Sequence, residues 1–377
     1  MSPLPASPAR VLLLHNRYRA AGGEERVVEQ LAALLSARGH AVARCERDSA
    51  DAGALRAARG LLHGGLDADA VAAAVRTQRA DVVHAHNVHP LLGWRALAAA
   101  RAEGARVVLQ LHNFRLFCAI GVAYRDGAPC FACRGRDTRP GVRHRCRGSL
   151  PEAVVYGAGL ARQQPRLLEQ ADALVAVSEA QAGRLVELGV PRESLTVLPN
   201  HVSAIAASSV AGEGGYALAA GRLVEEKGFD VAIAAAREAA IPLRIAGSGP
   251  DEERLRALAS GGDVVFLGQL SAEALAGERR GAGVLLAPSR SDDACPMSVL
   301  EAMADGVPVL GSERGGLPEL VGDGALPLEP AAWAEALSAL WRDPGSRTAA
   351  GEVALARIRA RHAPDGYYER LMRVYGA

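Results

Sequence analysis

Short apolar runs alternating with amphipathic helical stretches constrain this chain more than any other feature. Runs at 11–14, 82–84, 107–111 and 174–177 are interleaved with helical stretches at 24–38, 91–103 and 179–188. Strand alternating with helix implies a parallel sheet covered on both faces. The first helix shows the basis of the reading. Val27, Leu31 and Leu35 lie four apart, Glu24 and Glu25 occupy the first turn, Arg38 the last, and Gly39 follows as a C-cap.

The alternation restarts at 216–219 and continues through runs at 243–246, 264–267, 284–287 and 307–310, with helices over 251–259, 272–280, 296–304 and 318–321. Between the halves, 203–215 is small and flexible in composition and reads as a linker. At 377 residues the chain exceeds the roughly 250–300 that one core supports. The expected fold is α/β with two doubly wound, Rossmann-like domains facing across a cleft, over 1–202 and 216–358. A C-terminal helix over 359–377 is expected to pack back on the first.

With 49% hydrophobic and 23% charged residues the chain is not a disordered one. Lys plus Arg number 43 against 42 for Asp plus Glu, so no global field recruits nucleic acid or an anionic membrane, and any basic site is local. Residues 1–8 lack the n-region and apolar stretch of a signal peptide. No later stretch offers the roughly 18 apolar residues of a spanning helix. The expected location is the cytoplasm, where six cysteines do not suggest a disulfide framework.

Three glycine-rich or polar turns invite an anion-binding reading. Gly22 and Gly23 lead into Glu24 and Glu25, and Gly247 and Gly249 into Asp251, Glu252 and Glu253. Carboxylates in a first turn complement the helix dipole and repel an arriving anion. The third turn differs: after Cys295, Pro296 suits the first helical position, and Pro296, Met297 and Ser298 carry no acid. This is the best phosphate-binding helix start in the chain. Asp293 before it and Glu301 within it could accept hydrogen bonds from sugar hydroxyls. A capping Asp and a surface Glu are the plainer alternative. Arg222 and Lys227 follow the first strand of the second half, where α/β sheets gather ligands, although a solvated patch would look the same.

These residues, taken in order, resemble glycosyltransferase family 4 of the GT-B architecture over nearly the whole chain. Glu301-Ala302-Met303-Ala304-Asp305-Gly306-Val307-Pro308-Val309 matches the family's helix motif, with Asp293 eight residues upstream where Glu is usual. Gly22-Gly23, His112-Asn113, Ser178, Pro199-Asn200, the Arg222/Lys227 pair, Gly247-Ser248-Gly249-Pro250 and Gly315-Gly316-Leu317-Pro318-Glu319 fall in the family's order. The stretch 111–118 with the later cysteines looks like a subset of bacterial members that build surface polysaccharides.

The resemblance implies a nucleotide diphosphate sugar as donor and co-substrate. Glu301 would meet the ribose, Arg222 and Lys227 the diphosphate and Asp293 the sugar, with Gly22, Gly23, Gly247, Gly249, Cys295, Pro296, Met297 and Ser298 lining the donor. His112 would position sugar or acceptor. It further implies transfer with retained anomeric configuration to a saccharide or lipid-linked saccharide. Two cations and a helix start can replace a divalent metal, and no Asp-x-Asp stands in a convincing loop, so no cofactor is expected in the transfer. A nucleotide-sugar epimerase or phosphorylase, or a catalytically idle relative, remain the rivals.

The insertion 114–150 fits no strand or helix period. It carries eight arginines with Cys118, Cys130, Cys133, Cys146 and His144. Structural zinc on the four cysteines, plain thiols and a labile disulfide are all open. Its arginines would suit a phosphate on a lipid-linked acceptor at the inner membrane face.

Overall fold

The computed structural model describes residues 9–18 and 22–376. The expectation placed on 1–8 lies outside them. Contacts divide the chain into two units, Met1–Ala123 with Phe131–Asn200 and Pro364–Ala377, and Tyr124–Cys130 with His201–Ala363.

The first unit contains β1 (Arg10–Arg17), β2 (Ala41–Asp48), β3 (Val82–Ala85) and β4 (Arg106–Leu111). A short antiparallel hairpin, β5 (Tyr124–Arg125) and β6 (Ala128–Pro129), groups with the second unit. Then come β7 (Ala173–Ala176) and β8 (Leu195–Val197). The first sheet runs β2-β1-β3-β4-β7-β8, every pair parallel. Apolar strand residues fill both faces. Leu12, Leu14, Val83 and Leu109 pack on one side, and Val11, Leu13, Val82 and Val108 on the other. The latter cluster is completed by Tyr367, Leu371, Val374 and Tyr375 of the last helix, Pro364–Tyr375.

The second unit contains β9 (Tyr216–Ala220), β10 (Leu243–Ala246), β11 (Val264–Gly268), β12 (Ala282–Ala287), β13 (Val309–Ser312) and β14 (Ala325–Leu326). They form a parallel sheet ordered β11-β10-β9-β12-β13-β14. The strand order reverses between β9 and β12 here, and between β1 and β3 in the first sheet. Crevices for ligands open at the carboxyl ends of such strands.

Three expectations are corrected. The 203–215 segment is no flexible linker. Ser209 is buried, its N–H donates to Glu352 at 2.6 Å and its hydroxyl to the Gly306 carbonyl at 2.6 Å. The insertion 114–150 is not wholly irregular, since it holds the hairpin and a helical turn, Arg139–Arg143. The C-terminal helix packs on the first unit as expected, but it starts at Pro364 rather than 359, because a separate helix of the second unit, Pro344–Arg361, ends just before it.

Candidate functional site

In the second unit the loop after β9 and the loop after β12 meet across the strand-order reversal. Arg290 forms a two-pronged ion pair with Asp230, both contacts 2.7 Å, and its N–H donates to the Glu226 carbonyl at 2.8 Å. The Ser289 hydroxyl donates to the same carbonyl at 3.2 Å. Gly228 lies in the left-handed region, φ +68°, and a Cβ there would stand 2.0 Å from the Pro288 carbonyl oxygen. Only glycine lets the two loops approach this closely.

On that joined base Lys227 Nζ donates to Asp293 Oδ2 at 2.7 Å. Two of the residues singled out by sequence are thus in direct contact, an ammonium and a carboxylate side by side at the sheet's crevice. Asp293 is fixed at its backbone too, because its carbonyl accepts from the Gly316 N–H at 2.8 Å. Arg222 is more open, its side chain 57% exposed, with Glu226 at 3.2 Å. Arg222 and Lys227 therefore each carry a carboxylate neighbour, which an incoming diphosphate would have to share or displace.

The helix behind Asp293 is Met297–Ala304, with no acid in its first turn. Pro296 takes the N-cap rather than the first helical position, with ψ 122°. This corrects the sequence reading by one residue. Cys295 and Met297 are buried, while Pro296 and Ser298 are half-buried. Glu301 is no surface residue. It is buried and takes a 2.9 Å bond from Arg279, which also donates to Asp305 at 2.6 Å. Nothing in the local sequence signalled Arg279, since its two partners lie 22 and 26 residues away in the chain.

Gly247 and Gly249 have a packing role in the structure. A Cβ on Gly247 would stand 1.9 Å from the Gly221 carbonyl oxygen, and one on Gly249 2.2 Å from that of Leu223. They let this turn lie flat on the loop after β9, with Asp251, not glycine, as the N-cap of the acidic helix Glu252–Leu258.

In the first unit a second polar group gathers at the reversal between β1 and β3. Glu25 accepts from the N–H groups of Tyr18 at 2.9 Å and Gly22 at 2.8 Å. Burial opposes its charge, but His15, 3.6 Å away, and the bonds from Tyr18 and Gly22 outweigh this and hold it down at about 2. Glu25 itself thus takes up the Gly22 N–H group. Glu24 is pushed up by burial and accepts from the Tyr18 hydroxyl at 2.9 Å. Gly22 precedes the helix Gly23–Ala37 and is exposed.

His112, immediately after β4, meets His86, after β3, at 2.9 Å between Nε2 and Nδ1. Burial holds His112 down at about 3 and His86 well below its ordinary value. Both rings, with Tyr18, Glu24, Asn113 and Arg115, line a cavity of about 30 Å³, room for one or two waters. Sequence reasoning found His112, read Arg115 only as one of the insertion's arginines, and missed His86 and Tyr18, whose association depends on the order of the strands.

The four insertion cysteines, Cys118, Cys130, Cys133 and Cys146, are all half-buried. Among the described residues no three His, Cys, Asp or Glu side chains stand together to hold a metal ion, and no cysteine is in a disulfide.

Comparisons with known proteins come to the same regions. Residues 21–204 match Glycosyltransferase Family 4, and residues 214–343 match Glycosyl transferases group 1. The chain is 33% identical over 180 residues to a protein of Escherichia coli (strain K12) named as a candidate colanic acid biosynthesis glycosyltransferase. That match covers 41% of this chain and 43% of the relative, so the chain spans under half the length of the curated relative it matches. Among solved structures, sucrose-phosphate synthase from Thermosynechococcus elongatus superposes with a TM-score of 0.69 at 19% identity, over 97% of this chain and 98% of the other. Anabaena HepE in complex with UDP-glucose gives 0.62 at 16%, over 97% and 98%. At these identities the two structures speak for the fold alone.

Proposed function

Since the chain belongs to the family-4-type glycosyltransferases of the GT-B class, we propose that it transfers a sugar from a nucleotide diphosphate sugar to a saccharide or lipid-linked saccharide acceptor in surface-polysaccharide synthesis. The observation that carries this reading is the Lys227–Asp293 contact at the reversal of the second sheet. A cation and an acid in adjoining positions suit a ligand that joins an anionic diphosphate to a sugar rich in hydroxyls. The solved complex of HepE with UDP-glucose makes a uridine nucleotide the first donor to try.

In this reading Lys227 and Arg222 take the negative charge that develops on the leaving diphosphate, with the acid-free start of the helix Met297–Ala304 beside them. Asp293 holds a sugar hydroxyl, and Glu301, oriented by Arg279, accepts from the ribose. Transfer proceeds with retention and without a metal ion, the acceptor hydroxyl attacking from the face the diphosphate leaves. Gly247 and Gly249 act by shaping the loop that carries Arg222.

The acceptor side falls to the first unit. Arg134, Arg136, Arg139, Arg143 and Arg145 are exposed, and Leu150 and Val154 on the helix Leu150–Gln170 are 48% and 46% exposed. Basic groups beside bare apolar side chains suit an anionic membrane face that carries a lipid-linked acceptor. No helix among the described residues is long and apolar enough to cross a membrane.

The test is thermal shift and donor hydrolysis across UDP-, GDP-, ADP- and dTDP-sugars, with and without EDTA, on the wild type and Lys227→Ala. One nucleotide series should stabilise the wild type and be hydrolysed in EDTA, with both effects lost in the variant. Stabilisation by none of them would overturn the reading.

A further inference from the structure

His86 and His112 meet edge to edge. Their ring planes differ by 19° with centroids 5.2 Å apart, and His86 Nδ1 lies 2.9 Å from His112 Nε2, so the contact lies near both ring planes. His84 stacks on His86, centroids 4.6 Å apart and planes 16° apart, and its Nδ1 meets the Tyr375 hydroxyl at 2.9 Å. His84 and His86 are buried, and burial keeps these imidazoles neutral at neutral pH.

Two neutral imidazoles in contact share one proton, so one nitrogen donates and the other accepts. Which one donates follows from the rest of the surroundings. His86 Nε2 is buried and has no hydrogen-bond partner among the described residues. A buried N–H without an acceptor is rarer and more costly than an unused lone pair. The His86 proton therefore belongs on Nδ1, where it is used, and Nε2 keeps the bare lone pair. His112 Nε2 must then accept, which places the His112 proton on Nδ1. His112 lines the cavity that also holds Glu24, Asn113 and Arg115.

We infer that His86 is a positioning residue that locks His112 in its Nδ1–H tautomer, so that His112 offers a hydrogen-bond donor to a hydroxyl oxygen of the saccharide entering the first unit. This role rests on the glycosyltransferase reading above for its ligand, but not for its tautomer. The opposite tautomer would offer a lone pair and would suit a hydroxyl proton instead. His84, itself held by the Tyr375 hydroxyl, supports the arrangement by stacking on His86. His15, whose ring centroid is 6.3 Å from that of His86, and the neighbouring Glu24 and Glu25 are the other titratable groups around it.

The experiment is two-bond proton–nitrogen NMR on ¹⁵N-histidine protein at neutral pH, with His112 assigned by loss of its signals in His112→Gln. The wild type should show His112 protonated on Nδ1. His86→Asp, whose carboxylate accepts from an imidazole N–H, should turn His112 to the Nε2–H form. His86→Asn, whose amide N–H can replace the imidazole donor, should keep the Nδ1–H form and also serves if the Asp variant fails to fold. Wild-type His112 protonated on Nε2, or a His112 unchanged in a folded His86→Asp protein, would overturn the assignment. A parallel donor-hydrolysis assay should show turnover down about tenfold in His86→Asp and within twofold of wild type in His86→Asn, with donor-induced thermal shift unchanged in both. No hydrolysis by the wild type would count against the glycosyltransferase reading, while the NMR result would still decide the tautomer.

Discussion

Arg279, at the end of the helix Ala272–Arg280, holds two carboxylates of a neighbouring element at once, Glu301 at 2.9 Å and Asp305 at 2.6 Å. Glu301 is the acid assigned above to the ribose, so its orientation depends on a residue outside the crevice. Arg279→Met should lower the stability of the second unit by about 3 kcal/mol, because it leaves a buried carboxylate without its cation. Arg279→Lys should recover only part, since one ammonium cannot reproduce two directed guanidinium bonds. Urea midpoints and donor-induced thermal shift measure the two consequences separately.

Gly315 backs the other acid. It has φ +55°, and a Cβ would stand 2.4 Å from the Asp293 carbonyl oxygen. Gly261 also has positive φ, +78°, with nothing within 4 Å of its would-be Cβ. Gly261→Ala should therefore cost only the backbone strain, about 1 kcal/mol, while Gly315→Ala should cost more and also abolish donor-induced stabilisation by moving Asp293. Equal effects of the two substitutions on donor binding would show that the Asp293 loop tolerates the displacement.

Glu25 stabilises the first unit as an anion. Its value in the fold, about 2, lies below the ordinary 4.5. The contribution is complete above pH 4.5 and is lost as pH falls toward 2, amounting to about 3 kcal/mol at neutral pH. Glu25→Gln should lower the melting temperature at pH 7, with a penalty that shrinks steadily below pH 4.5. A penalty constant from pH 7 to pH 3 would mean that its charge plays no part.

The buried histidines of the first unit give a broader acid sensitivity. His84, His89 and His112 are held down at about 3 and His86 also well below its ordinary value, in each case first by burial. Between pH 6.5 and 3 the unfolded chain binds protons that the folded chain excludes, so stability is full above pH 6.5 and is lost as pH falls. With four such groups the slope near pH 5 reaches on the order of 5 kcal/mol per pH unit. Calorimetry in buffers of differing ionisation heat should show proton uptake on unfolding at pH 5 and little at pH 8.

The basic surface is tested by cosedimentation with vesicles containing phosphatidylglycerol. Wild-type binding should fall as salt rises, and the double substitution Arg143→Glu, Arg145→Glu should weaken it more than tenfold, at about 1 kcal/mol per basic residue removed. Binding equally strong to neutral vesicles would indicate that Leu150 and Val154 act without the arginines.

Elements buried on both sides were readable from the chain because a central parallel strand is largely apolar, as 11–14 and 107–109 are. The edge strand Ala41–Asp48 was not, since only one neighbour pairs with it and most of its residues are half-buried, so its sequence is mixed. The helix Leu150–Gln170 was hidden for a different reason. Its buried face mixes Leu160 and Leu167 with Ala153, Gly157, Gly159, Gln163 and Gln164, so small and polar residues interrupt the usual leucine stripe. A Cβ on Gly157 would stand 2.7 Å from the Val142 side chain, and one on Gly159 3.0 Å from that of Leu61. In the sites, Lys227, Asp293 and Glu301 stood out through charge beside a helix start, whereas Arg279, His86 and Tyr18 gain their meaning from contacts that only the strand order creates.

The last helix, Pro364–Tyr375, supplies Tyr367, Leu371, Val374 and Tyr375 to a core whose other members are all encoded before Val202. During synthesis, therefore, one face of the first sheet is covered by the helix Gly23–Ala37 but must wait for the rest of its cover while the second unit leaves the ribosome. Until Tyr375 emerges, His84 also lacks its hydroxyl partner. The order in which the message is read thus makes the first unit the last to be finished.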